Sequence, residues 1–216
     1  MCTGQVGSET APAVELVLER PVTKQFAVSF DYRCPFARNG HEAVVAGLRA
    51  GRDWDVRFLP FSLDQVHVEE GETPVWDRDP DVRGTGVLAL CWGIAVRDSF
   101  ADHFYDWHIA AFAARHDEGR KIAKDEVLRE IATSVGLDAD AVAAEVASGR
   151  PLKVLADEHT EADKRWNIFG VPTFVVGERA VFVRVMDRAN PTDVDRVLDL
   201  LEWTDLNEFK HTSVPR

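Results

Sequence analysis

The sequence predicts an α/β fold: one small sheet unit interrupted by a block of helices. Three observations carry that expectation. A β-rich run at residues 26–30 is followed by a helical segment and a second β-rich run at residues 54–61. Helical periodicity then fills residues 86–147, and two short β-rich runs flanking Gly177 precede an amphipathic segment at residues 191–203. At 216 residues the chain has room for one sizeable core and is short for two. The expected division is an N-terminal extension (1–23), one domain (24–203) with its insertion at about 84–150, and a C-terminal tail (204–216).

Residues 1–23 are polar and irregular apart from Val14 to Leu18, which reads as an edge strand or docked extension. Phe26-Ala27-Val28-Ser29-Phe30 has the β-branched and aromatic character of a buried strand. Pro35 at a first helical position, with Cys34 before it and Ala43, Val44, Ala46, Gly47 and Leu48 after it, marks a helix start capped near Cys34. That helix stops near Gly51, and Val56 and Phe58 belong to the next strand. The connection length suits a parallel crossover.

Residues 62–83 are acidic and turn-rich, with Gly71, Pro74 and Pro80, and predict a long loop able to cover a site, with Trp76 as a candidate lid. Helical spacing follows at 87–96, 100–114, 124–135 and 139–147, with Asp138 a cap for the last. Another helix is expected from Pro151 to Trp166. Residues 173–176 and 180–185 predict a hairpin, and 191–203 a closing helix.

Composition excludes several functions. A net charge of −12 without a Lys/Arg stripe opposes nucleic acid and acidic membranes as partners. No apolar stretch approaches a membrane span, and the first residues lack the basic and apolar pattern of a secretory signal. Three scattered cysteines, Cys2, Cys34 and Cys91, make no disulfide framework, so the expected setting is a reducing cytoplasm and any redox role is catalytic. The Ala, Val, Arg and Asp bias suggests a GC-rich bacterial genome.

Two segments carry chemistry: Cys34-Pro35-Phe36-Ala37 at a strand-to-helix junction and Gly170-Val171-Pro172-Thr173 before a returning strand. A thiol at a helix N-terminus faces unpaired backbone N–H groups and the positive end of the helix dipole, which favours thiolate. Arg33 or Arg38 is expected to add positive potential. Cys34 is therefore the candidate catalytic residue.

Together these segments and the element order resemble the DsbA-like branch of the thioredoxin superfamily, over roughly residues 26–203. That branch also includes FrnE-type proteins, kappa-class glutathione transferases and hydroxychromene-carboxylate isomerases. The resemblance implies a thioredoxin fold with a helical insertion. It also implies a cis peptide between Val171 and Pro172 that sets the Val171 backbone beside the thiol, where an extended substrate would pair, and so makes Pro35, Phe36, Ala37, Val171 and Pro172 the candidate substrate- or thiol-binding positions. Ala37 departs from the family pattern, which often has a second, resolving cysteine there. Without it no local disulfide can close.

The expected activity is thiol–disulfide exchange through Cys34 alone, resolved by a low-molecular-weight thiol, mycothiol or glutathione, with no tightly bound cofactor. The partners would be that thiol and a disulfide or electrophilic substrate, with a homodimer as a further expectation. Alternatives are a thiol transferase or isomerase, whose relatives typically carry serine at this position, and a non-catalytic binding protein. Cys91, in Leu88-Ala89-Leu90-Cys91-Trp92, reads as core packing, and Cys2 as an arm thiol without a dedicated partner. His41 reads as a surface histidine. Asp102, His103, Asp106 and His108 read as a polar helix face and not a metal site, because the two histidines are not spaced i, i+4. Most of Trp76, Trp92, Phe104, Trp107, Phe112 and Trp166 are expected in the core.

Overall fold

The computed structural model describes residues 23–206. The Val14 to Leu18 run, Cys2 and most of the expected tail lie outside them. A four-stranded sheet has the order β2-β1-β3-β4. β1 (Lys24–Phe30) pairs in parallel with β2 (Trp54–Pro60) from Lys24 opposite Trp54 to Phe30 opposite Pro60. On its other side β1 meets β3 (Thr173–Val176) antiparallel, and β3 turns at Gly177 into β4 (Arg179–Phe182). β4 is shorter than the sequence suggested and starts one residue earlier.

Burial of every residue from Phe26 to Phe30 marks β1 as a central strand covered on both faces, which is why it reads as a continuous apolar run instead of alternating. α1 (Pro35–Arg49) returns from β1 and packs beside α8 (Pro191–Glu202), which lies against β3 and β4. Gly47 sits where α1 crosses the Trp54 ring, and a Cβ there would overlap that ring. Gly47→Ala is expected to destabilise the fold by about 1–3 kcal/mol, because overpacking exceeds the gain in helix propensity. Chemical denaturation measures it, and a variant as stable as the parent would contradict this contact.

The segment after β2 is not the continuous loop expected. Its sequence hides a short helix, α2 (Leu63–Val66), capped by Ser62 Oγ accepting from the Gln65 N–H, and two 3-10 turns, Val75–Asp77 and Pro80–Val82. Trp76 is no lid: its ring lies 5.4 Å from His159, packed against the core. The helical block consists of α3 (Val87–Ser99), α4 (Phe104–His116), α5 (Asp125–Ser134) and α6 (Ala139–Ala147), the last capped by Asp138 as expected. α7 (Arg150–Trp166) then leads back to the sheet, packing on α3 and β2. Trp92, Trp107, Phe104 and Phe112 are buried in the core, as is Cys91, whose thiol burial pushes up to about 12.

Candidate functional site

Cys34 is the N-cap of α1, in extended conformation, with Pro35 supplying the fixed φ of the first turn. The Cys34 N–H donates to Asp31 O (3.0 Å) and the Arg38 N–H to Cys34 O (3.1 Å), so the backbone on both sides of the thiol is held. Sγ accepts from the Ala37 N–H at 3.4 Å and faces the Val171 carbonyl at 3.2 Å, to which the thiol proton donates. The peptide between Val171 and Pro172 is cis, as the resemblance implied. Ala37 is fully buried, so the place of a resolving thiol is filled by a methyl group.

The structure corrects the expected electrostatics. Burial pushes the Cys34 thiol above the ordinary cysteine range. The Ala37 and Phe36 amides pull it down, Asp31 adds to the rise, and Arg184 opposes it. Neither Arg33 nor Arg38 supplies the expected field, because each is spoken for by carboxylates. Arg33 pairs with Asp31 and, at 2.7 Å, with Asp64. Arg38 is buried between Glu42 (2.8 Å) and Asp117, and Arg188 closes on the same Glu42 at 2.7 Å. The resting state is thus a partly buried thiol, not a thiolate.

Asp31 itself is fully buried and accepts from the Arg33 (2.9 Å) and Leu63 (2.8 Å) backbone N–H groups. Asp64 accepts from the Gly86 N–H at 2.9 Å. Through these bonds the turn carrying Cys34 is fastened to the 62–86 segment, which acts as a brace behind the thiol.

The polar-face expectation for α4 fails at His108, and the surface expectation fails at His41. Both rings are completely buried. Tyr32 Oη lies 2.7 Å from His108 Nδ1, His108 Nε2 lies 2.9 Å from His41 Nδ1, and His41 Nε2 lies 3.1 Å from the Ser29 carbonyl. The carbonyl can only accept, which fixes every proton: His41 donates from Nε2, His108 donates from Nε2 to His41, and Tyr32 donates to His108. Desolvation lowers both imidazoles, His41 to about 4, so the chain is neutral and runs in one direction. Ser29 Oγ in turn accepts from the Thr173 N–H at 2.9 Å, next to Pro172.

This chain ties the helical block, α1 and the strand after Pro172 together around Cys34. A signal for it was present in the helical spacing: His41 shares its face with Val44 and Val45, and His108 with Phe104, Ala111 and Phe112. His103 and Asp106 do remain near the surface, His103 donating to the Val135 carbonyl and Asp106 pairing with Arg49. Among the described residues no cluster of His, Cys, Asp or Glu is arranged to hold a metal.

Residues 106–196 match the DSBA-like thioredoxin domain family, a span that takes in Val171 and Pro172 but not Cys34. No curated protein matches the chain. The structure is similar to DsbA from Pseudomonas aeruginosa, with a TM-score of 0.56 and 22% identity over 88% of this chain and 90% of that one. It is also similar to the cytosolic disulfide reductase DsbM from the same organism, solved with glutathione, with a TM-score of 0.54 and 20% identity over 81% of this chain and 97% of that one. A 2-hydroxychromene-2-carboxylate isomerase gives a TM-score of 0.59 at 12% identity, covering 81% of this chain and 94% of that one.

Proposed function

We propose that this chain, which has the DsbA-like thioredoxin fold, is a single-cysteine thiol–disulfide oxidoreductase that works with a low-molecular-weight thiol, glutathione or mycothiol, in a reducing cytoplasm. The observation that carries the reading is the placement of Cys34 Sγ between the Ala37 N–H and the Val171 carbonyl. An extended substrate whose backbone takes the Val171 carbonyl deprives the neutral thiol of its acceptor while the amides of α1 remain. That shifts Cys34 toward thiolate when substrate is present.

The thiolate attacks a substrate disulfide, forming a Cys34–S–S–R bond as the R–S–S–R′ bond breaks and R′–S⁻ leaves, taking the proton that Cys34 gave up. With Ala37 in place of a second thiol, the small thiol deprotonates and attacks the R sulfur, restoring Cys34 and releasing the new disulfide. The DsbM structure, described with glutathione, supports a small thiol in this role.

A second reading has its own observation. The protonated Sγ–H is a hydrogen-bond donor at the helix cap, as a serine would be. In a transferase or isomerase it would hold a bound small-molecule thiolate without forming a bond to it, which the likeness to the isomerase structure supports. One pair of variants separates the two. In exchange, intact mass shows one small-thiol adduct on Cys34, and both Cys34→Ala and Cys34→Ser lose all turnover of a mixed disulfide. If Cys34→Ser keeps activity and no adduct forms, the exchange mechanism is wrong. Under either reading the rate of Cys34 alkylation in the free protein is expected to be still climbing at about pH 9, since burial holds the thiol above the ordinary range.

A further inference from the structure

We infer that Arg184 selects, among thiols and disulfides that reach Cys34, those carrying a carboxylate near the sulfur; the inference deepens the exchange reading and rests on it for its substrate class. Arg184 follows β4 at the point where the Val183 N–H donates to the Pro172 carbonyl (3.1 Å), so its place is fixed against the same loop that faces Sγ. Its guanidinium lies over the Phe36 ring at 4.9 Å and the Phe182 ring at 5.5 Å. Phe182 in turn meets Phe169, which is 66% exposed, at 5.2 Å between ring centroids. The result is an open shelf of aromatic faces beside Cys34 with a cation resting on it.

That cation has no carboxylate partner among the described residues, although most other arginines of this acidic chain are paired, Arg33, Arg38 and Arg188 around the same site among them. Aromatic faces hold the guanidinium in position through its π-cloud contacts and leave its N–H edges free. Those edges match a carboxylate in a bidentate pair. The net charge of −12 repels an anion at long range, so preference for one has to come from a local cation. Glutathione belongs to the favoured class. Mycothiol, which has no carboxylate, does not.

The test reads charge preference at the sulfur separately from turnover. Cys34 of the full chain is alkylated with iodoacetate and with iodoacetamide, followed by peptide mass spectrometry, in the parent, Arg184→Gln and Arg184→Glu. Because any change in thiol acidity slows both reagents alike, the ratio of the two rates isolates the anion contact. The ratio is expected to fall about three- to tenfold in Arg184→Gln and further in Arg184→Glu. In parallel, exchange is followed with oxidised glutathione, hydroxyethyl disulfide and cystamine. Relative to hydroxyethyl disulfide, whose rate reports any common loss of thiolate, Arg184→Gln should slow the first and favour the third. A constant alkylation ratio in both variants overturns the inference even if exchange proceeds. A falling ratio with no exchange in any protein upholds the anion contact and overturns the exchange reading instead.

Discussion

Replacing His108 with leucine is expected to cost about 2–5 kcal/mol of stability. The side chain is fully buried and sits at the centre of the Tyr32, His108, His41, Ser29 chain. Leucine fills comparable space but leaves the Tyr32 O–H without an acceptor and His41 Nδ1 without a donor. Each orphaned buried group costs about 1–3 kcal/mol. Tyr32→Phe alone should also destabilise, because it strands His108 Nδ1. Combined with His108→Leu, however, the same change removes an orphaned hydroxyl and should recover about 1 kcal/mol or more. Denaturant midpoints of the four proteins test this, and simply additive losses would show that the two side chains are not coupled. Because Tyr32 lies two residues before Cys34, the double variant should also show whether this chain steadies the thiol turn.

Element order and type were legible because each has a strong local signature. Pro35 after Cys34 starts α1, Asp138 caps α6, and the unbroken apolar run of β1 announces a strand buried on both faces. Residues 62–83 read in sequence as a long loop because much of their order comes from distant partners: Asp64 meets Arg33 and Gly86, and Asp31 meets the Leu63 N–H. No local pattern encodes such pairs. The same holds for charge at the thiol. Arg33 and Arg38 stand next to Cys34 in sequence, yet tertiary carboxylates occupy both, whereas Arg184, far along the chain, is the cation left acting on it. The α1 amides do reach Sγ, as a helix cap implies, but burial of Sγ outweighs these two backbone N–H groups and raises the thiol. The surface and polar-face expectations fail at His41 and His108 because position on the helix, not residue type, sets burial there. At His41 and His108 the apolar neighbours one turn away were the better guide.

Stability should fall steeply as pH drops from about 6.5 toward 4, driven by buried neutral histidines. His41 and His159 are lowered to about 4 and His108 lies well below its ordinary value, all by desolvation. His159 is held neutral between Phe61, stacked at 4.1 Å, and the Ser62 N–H that its Nδ1 accepts. Above about 6.5 these rings are neutral in folded and unfolded chains alike and stability carries the full contribution. As pH falls through the interval, the unfolded chain binds protons that the folded one refuses, so unfolding takes up protons. For His41 and His159 the loss amounts to about 3 kcal/mol each by the time pH reaches their folded values. The carboxyls of Glu42 and Asp98, held low by their arginines, add loss of the same sign at more acid pH, while Asp31, raised by burial, works against it. The pH dependence of the denaturation midpoint should therefore report uptake of about two or more protons near pH 5, and His159→Gln should remove about one of them. A midpoint flat from 6.5 to 5 would mean that these rings are not held neutral. Cys34 of the free protein, its thiol raised by burial, stays protonated throughout this range, so its titration contributes nothing to the acid loss of stability.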